Sequence, residues 1–231
     1  LYHSPTFWRL HEKFVNQVLN MPELILKVLL AYALGSVSGS LMLGRFRHID
    51  IRSMGSGNAG GTNALRSVGK KFALAVAVID VAKGAVAAGL IPLLPLPVAG
   101  DTSDVTLLAV SCGFAAVLGH CYPVWHRFRG GKGAATAVGV LLVLQPWVLP
   151  LMFLIWFLVI GFTGWVGLGT ILAGISIVPS MIWLNVPAEH LWLGITLAVF
   201  ITFTHRGNIR KMLRGEEYCF EKARILRRLF S

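Results

Sequence analysis

An all-α, polytopic membrane helix bundle is the fold class this sequence predicts, on three observations. Of its 231 residues 55% are hydrophobic and 13% charged, and mean hydropathy is +0.70, outside the balance of soluble domains. Apolar runs of membrane-crossing length alternate with short polar islands. Of 21 Lys and Arg, all but Arg9, Lys13, Lys27 and Lys83 fall in three clusters, at 45–71, 127–132 and 206–228, and the positive-inside rule places all three clusters in the cytoplasm. The formal net charge of +11 therefore reads first as topology, then as attraction for anionic headgroups or substrates. Nothing in it calls for nucleic acid.

Residues 1–20 are more polar than the rest of the chain and precede Met21-Pro22-Glu23, so they read as an upstream extension of a natural start at Met21. An amphipathic external helix carrying Phe7, Leu10, Phe14 and Val18 is the competing reading. Residues 24–43 make a first span, about 20 residues or roughly 30 Å as a helix. Its second half carries Gly35 and Gly39 at GxxxG spacing among Ser36, Ser38 and Ser40, a pattern suited to close helix packing. Residues 72–95 form a second span containing Asp80 and Lys83 on one helical face. Either charge alone would cost about 2.5–3.5 kcal/mol at the bilayer centre, so the pair must face the bundle interior or an aqueous cavity. A buried structural pair and a place beside substrate fit equally well.

Residues 95–104 carry Asp101 and Asp104 without a basic residue and belong outside. Residues 105–118 return inward to the island GHCYPVWHRFRGGKG at 119–133, whose aromatics suit the interface. Residues 134–204 hold no Lys or Arg, and Pro146, residues 161–169 and residues 187–190 divide them into four apolar pieces, the first (134–144) short. Four pieces give seven spans; two long ones would give five. Either count puts the N-terminus outside and the C-terminus in the cytoplasm. The basic tail places Phe220, Ala223, Leu226 and Leu229 or Phe230 along one helix face, which either lies on the inner leaflet or is solvated.

The chemistry concentrates in the islands. Residues 55–66, GSGNAGGTNALR, cannot span a membrane. Gly55 and Gly57 let backbone N–H groups crowd an oxyanion, and Ser56, Asn58, Thr62, Asn63 and Arg66 add donors, so a phosphate or carboxylate guest is favoured over a plain polar turn once other islands join it. The second island offers Gly130, Gly131, Lys132 and Gly133, and the third, THRGNIRKMLRGEE, offers His205, Arg206 and Asn208. All three lie on one side of the membrane and can converge only if the spans bundle. The three cysteines show no CxxC spacing, and no His or carboxylate cluster has ligand spacing, so neither metal nor cofactor is expected and chelators should not matter.

Through these three islands, in order, and through the Asp80-Val81-Ala82-Lys83-Gly84 run, the sequence resembles the bacterial acyl-phosphate:glycerol-3-phosphate acyltransferases, the PlsY family. The resemblance covers residues 21–217, an integral membrane acyltransferase domain, and leaves out 1–20 and the tail 218–231. It implies an inner-membrane enzyme, its site facing the cytoplasm, that moves a fatty acyl group from acyl phosphate to the 1-hydroxyl of sn-glycerol 3-phosphate. The products would be lysophosphatidic acid and phosphate, with membrane phospholipids around the protein. By motif position it makes Ser56 and Arg66 essential, gives the second-island glycines and Lys132 to a substrate phosphate, pairs His205 with Asn208 in catalysis, and gives Glu216 a supporting role. Where many members have proline in the first span this chain has Ser38, which predicts a straighter helix.

The residues agree with that chemistry. The leaving phosphate departs with added negative charge, and cationic and N–H donors aimed at it lower the barrier. Two anionic substrates explain more Lys and Arg than topology needs. Direct attack by the glycerol hydroxyl, with His205 or a substrate phosphate taking the proton, is favoured over a Ser56 acyl-enzyme because no base adjoins Ser56 in sequence. His120 reads as a hydrogen-bonded structural residue. Acyltransferases using acyl-CoA or acyl-carrier protein carry His-x4-Asp, which none of the seven histidines has. An anion or lipid transporter would suit Asp80 and Lys83, but the islands share one face and no internal repeat is present.

Overall fold

A computed structural model describes residues 21–96 and 104–225, all helical or irregular. The readings for residues 1–20, Asp101 and Leu226 onward lie outside the described residues. Among the described residues ten α-helices run in order: α1 Met21–Gly35, α2 Gly39–Phe46, α3 Gly61–Ser67, α4 Lys70–Gly89, α5 Val105–Cys121, α6 Ala134–Leu144, α7 Leu149–Thr163, α8 Val166–Trp183, α9 Ala188–Thr204 and α10 Arg206–Leu213. Of these, four are long and apolar enough to cross a membrane, five if α1 and α2 count as one bent span. The four apolar pieces expected between 134 and 204 are the separate helices α6 to α9; α6, with 11 residues, and α9, with 17, fall short of spanning length, whereas α7 reaches 18 residues with the 3-10 turn Pro146–Val148 that leads into it.

Helix α4 is the hub, packed against α2, α3, α5 and α6, while α7, α8 and α9 stack in sequence and join through α5 and α6. Missing side chains set the closest crossings. A Cβ on Gly84 would overlap the Thr136 backbone and one on Gly139 the Val81 carbonyl, so α4 and α6 meet backbone to backbone. Gly35 meets Ala116 on α5, whereas Gly39 meets Val76 and Ile79 on α4. The GxxxG pair therefore serves two different partners.

That division arises because the first span is broken: α1 and α2 bend by 46° around residues 36–38. The straighter helix expected from Ser38 is thus corrected. Proline is unnecessary because buried charge caps the break. Lys83 Nζ donates to the Val37 carbonyl at 2.7 Å, and the Gly39 N–H donates to Asp80 Oδ1 at 3.2 Å. The remaining Lys83 protons go to Asp80 Oδ1 at 2.9 Å and His120 Nδ1 at 2.8 Å. All three donors of an ammonium only 4% exposed are satisfied. On the opposite side, Lys27 bridges Glu23 (2.6 Å) and the Pro92 carbonyl (2.7 Å), tying α1 to the end of α4.

Removing one member of this buried pair leaves the other uncompensated. Lys83→Met is expected to destabilise the detergent-solubilised protein by about 3–5 kcal/mol, read from its unfolding transition, and Asp80→Asn with Lys83→Met by less than the two single losses together.

Candidate active site

The first island is built on one buried side chain. Asn63 Nδ2 reaches the carbonyls of Ile51, Met54 and Asn58, each at 3.0 Å, and Asn63 Oδ1 accepts from the Ser56 N–H at 2.9 Å. Gly55 (φ +55°) and Gly57 (φ +73°) lie in the left-handed region, and a Cβ on Gly55 would overlap Asn63 Oδ1. Asn63, read from sequence as a substrate donor, spends its amide holding the loop. Ser56 stays exposed, and among the described residues no side chain hydrogen-bonds its hydroxyl. Thr62 and Arg66 lie on α3, which the loop starts.

In the second island the N–H groups of Gly130 and Gly131 donate to the carbonyls of Cys121 and His120, both at 3.1 Å. Their N–H groups, expected to cradle phosphate, thus cap the end of α5. Glycine is required at Gly131 because a Cβ would overlap the His120 imidazole. The turn delivers Lys132, whose carbonyl accepts from Thr204 Oγ1 at 2.9 Å and whose ammonium donates to Asn208 Oδ1. Gly133, at φ +88°, opens α6. Asn208 Nδ2 in turn donates to Glu217 at 2.7 Å. The supporting carboxylate is therefore Glu217, not Glu216: the turn at Gly215 (φ +71°) leaves Glu216 exposed and turns Glu217 inward.

His205 Nδ1 lies 2.8 Å from the Ile201 carbonyl, which can only accept, so the proton resides on Nδ1 and Nε2 keeps its lone pair. Burial, aided by the Lys132 cation, lowers its pKa to about 4. Burial also lowers Lys132 to about 8, partly opposed by Glu217. Arg66 is lowered by burial from its ordinary value and stays charged. Its guanidinium lies over the rings of Tyr218 (4.0 Å) and Phe220 (4.8 Å). The tail thus folds back over the site as an irregular segment with a 3-10 turn at Glu221–Ala223, where a helix along Phe220 and Ala223 was expected.

One cavity of about 990 Å³ gathers Ser56, Asn58, Thr62, Arg66, Asp80, Lys132, Gly133, His205 and Asn208. Asp80 lines it, whereas Lys83 does not. Val166, Gly167, Thr170, Gly174 and Ile177, one face of α8, continue the wall, joined by Met152, Phe153 and Trp156 from α7. Gly167 adjoins Asn208 at the polar end, and Ile177 lies about 15 Å further along the helix. A smaller cavity of about 290 Å³, lined by Arg52, Gly57, Gly130, Gly131 and Arg206 among others, adjoins it through Asn58 and Lys132. Glu217, Tyr218 and Thr204 were not singled out from sequence, and Phe220 was read only as part of a tail helix face; the Glu216-Glu217 doublet held the one local signal and did not say which residue turns inward.

The glycerol-3-phosphate acyltransferase family model matches residues 25–215. A glycerol-3-phosphate acyltransferase of Symbiobacterium thermophilum is 39% identical over 197 residues, covering 85% of this chain and 94% of that one. Its Aquifex aeolicus counterpart is 37% identical, covering 84% and 97%. The crystal structure of PlsY, an integral membrane glycerol 3-phosphate acyltransferase, in its glycerol 3-phosphate form is similar with a TM-score of 0.76 at 34% identity, covering 90% of this chain and 99% of that one. A lysophosphatidic acid form of PlsY aligns with a TM-score of 0.74.

Asn63→Ala removes the shared anchor of the first loop. It is expected to cost about 1–3 kcal/mol and to abolish most activity, measured as thermal unfolding and turnover of the same preparation.

Proposed function

The chain belongs to the glycerol-3-phosphate acyltransferase family of PlsY, a family of multi-pass membrane proteins, and from that premise we propose that it acylates the 1-hydroxyl of sn-glycerol 3-phosphate with acyl phosphate as donor. The observation that carries the reading is the cavity's division: cations and polar groups at the helix ends, an apolar face of α8 and α7 beyond them. A substrate with a phosphate head and a fatty chain fits that division. The PlsY forms with glycerol 3-phosphate and lysophosphatidic acid support the same acceptor and product for this chain.

In this mechanism Arg66 and Lys132 hold phosphate oxygens, and Asn208, engaged by both Lys132 and Glu217, positions the lysine. The glycerol oxygen attacks the acyl carbonyl carbon, the bond from that carbon to the phosphate oxygen breaks, and the electron pair leaves with phosphate, where the cations stabilise it. The hydroxyl proton passes to His205 Nε2 or to a substrate phosphate oxygen, both unprotonated at neutral pH. Bound phosphate charge opposes the Lys132 effect that depresses His205. Ser56 donates a hydrogen bond; its lack of a side-chain base supports direct transfer over an acyl-enzyme. Holding both substrates in one cavity makes the transfer effectively intramolecular.

The same reading puts the protein in the bacterial inner membrane with seven crossings, α1–α2 acting as one and α6 and α9 as two more. The N-terminus is then outside and the site cytoplasmic. Two contacts support this parity. Gln145, after α6, meets His190, at the start of α9, at 2.6 Å, and the Gly164 carbonyl, between α7 and α8, accepts from the Phe220 N–H at 2.9 Å beside the site.

Purified protein given acyl phosphate and glycerol 3-phosphate is expected to form lysophosphatidic acid, with radiolabelled donor leaving no acyl on the protein. Turnover with acyl-CoA in its place, or vectorial uptake by vesicles without product, would sink the proposal. A second test uses charge. Lys132 is cationic below its pKa and loses its proton as pH rises, so kcat/KM should fall through about 8. Lys132→Arg, whatever its absolute activity, should move that limb beyond the measurable range.

A further inference from the structure

We infer that residues 217–220 form a clasp in which Tyr218 and Phe220 are positioning residues for Arg66, fixing the plane in which its guanidinium meets a substrate phosphate. The inference rests on the reading above that Arg66 holds phosphate.

The segment lies just past residue 215, where the family-model match ends. It is nonetheless docked on both sides of the site. Phe220 N–H donates to the Gly164 carbonyl at 2.9 Å, and Cys219 Sγ approaches the Thr163 carbonyl at 3.5 Å. Gly164 permits this: its φ is +73°, and a Cβ there would press on Cys219 Sγ and the Arg224 side chain. At the start of the segment Glu217 is buried against Asn208. One backbone and two side-chain anchors thus fix where the two rings stand.

The rings meet each other edge to face, 4.8 Å apart at 78°, and both lie against one guanidinium. Tyr218 keeps 50% of its surface exposed, so burial alone does not account for its place. Arg66 Nε is buried with no hydrogen-bond partner among the described residues. The cation therefore rests over two adjacent rings; Nε is enclosed, and the terminal Nη1/Nη2 edge, which has no hydrogen-bond partner among the described residues and is one of the edges used in bidentate phosphate recognition, is left for a ligand. A flexible arginine at the end of α3 would have to be ordered by the substrate; a clasped one is already oriented.

The test is a mutant cycle in the full-length protein, with KM and kcat for each substrate and thermal unfolding read together. Tyr218→Leu/Phe220→Leu is expected to raise KM for one phosphate substrate about 5- to 30-fold, the range two lost cation–π contacts allow, with a smaller change in kcat. Tyr218→Phe, which keeps the ring, should stay within about two-fold of wild type in KM. In an Arg66→Ala background the double substitution should add nothing. An unchanged KM, or an equal rise without Arg66, overturns the clasp while leaving the reaction intact. Unchanged kinetics in Arg66→Ala alone would instead remove Arg66 from the site, and the clasp with it. Should the double variant unfold, Tyr218→Leu alone carries the same cycle at a half-exposed position.

Discussion

The Lys83 ammonium, 4% exposed, finds all three of its partners within the protein, and much of the molecule depends on how it does so. In a bilayer an unsatisfied buried donor is more costly than in a soluble core, so each partner is held in place. Asp80 supplies the counter-charge, Val37 the carbonyl exposed by the break in the first span, and His120 a ring nitrogen from α5. One cation thereby joins α4 to the broken span and to the helix that leads into the second island. The break needs no proline because its loose carbonyl and amide are satisfied from α4.

From His120 the order continues outward. The second-island glycines lie close over the imidazole and the last carbonyls of α5, which sets where Lys132 emerges. Thr204 holds the Lys132 carbonyl, Asn208 its ammonium, and Glu217 the Asn208 amide. The first island is organised in the same manner from Asn63. In both loops the residues that look like ligands by composition are partly scaffold, and the cations they aim, Arg66 and Lys132, are what remains for substrate in the proposed reaction. Such preorganisation lowers the reorganisation needed when charge moves to the leaving phosphate.

The placement of the site also answers to the two solvents it serves. Its polar groups come from helix ends and loops, which in the proposed topology face the cytoplasm. Its apolar wall is the face of α8 running from Gly167 to Ile177, within a helix long and apolar enough to cross a membrane. In the proposed reaction, a cavity with both kinds of wall lets a fatty acyl chain stay in apolar surroundings while its reactive head meets a soluble acceptor.

The sequence by itself determined that this is a helical membrane protein, where its apolar segments and three basic islands lie, and, through the long motifs, its family. Those properties are local: hydropathy, charge clustering and ordered motifs need no knowledge of distant contacts. Only the tertiary structure decided that the first span breaks, that Asn63 and the N–H groups of Gly130 and Gly131 are spent within the protein, that Glu217 rather than Glu216 faces Asn208, and that Tyr218 and Phe220 lie together against Arg66. Each of these depends on residues brought together from separate helices or across a tight turn. A donor's partner is chosen by what folding places beside it, and neither periodicity nor residue type carries that information along the chain.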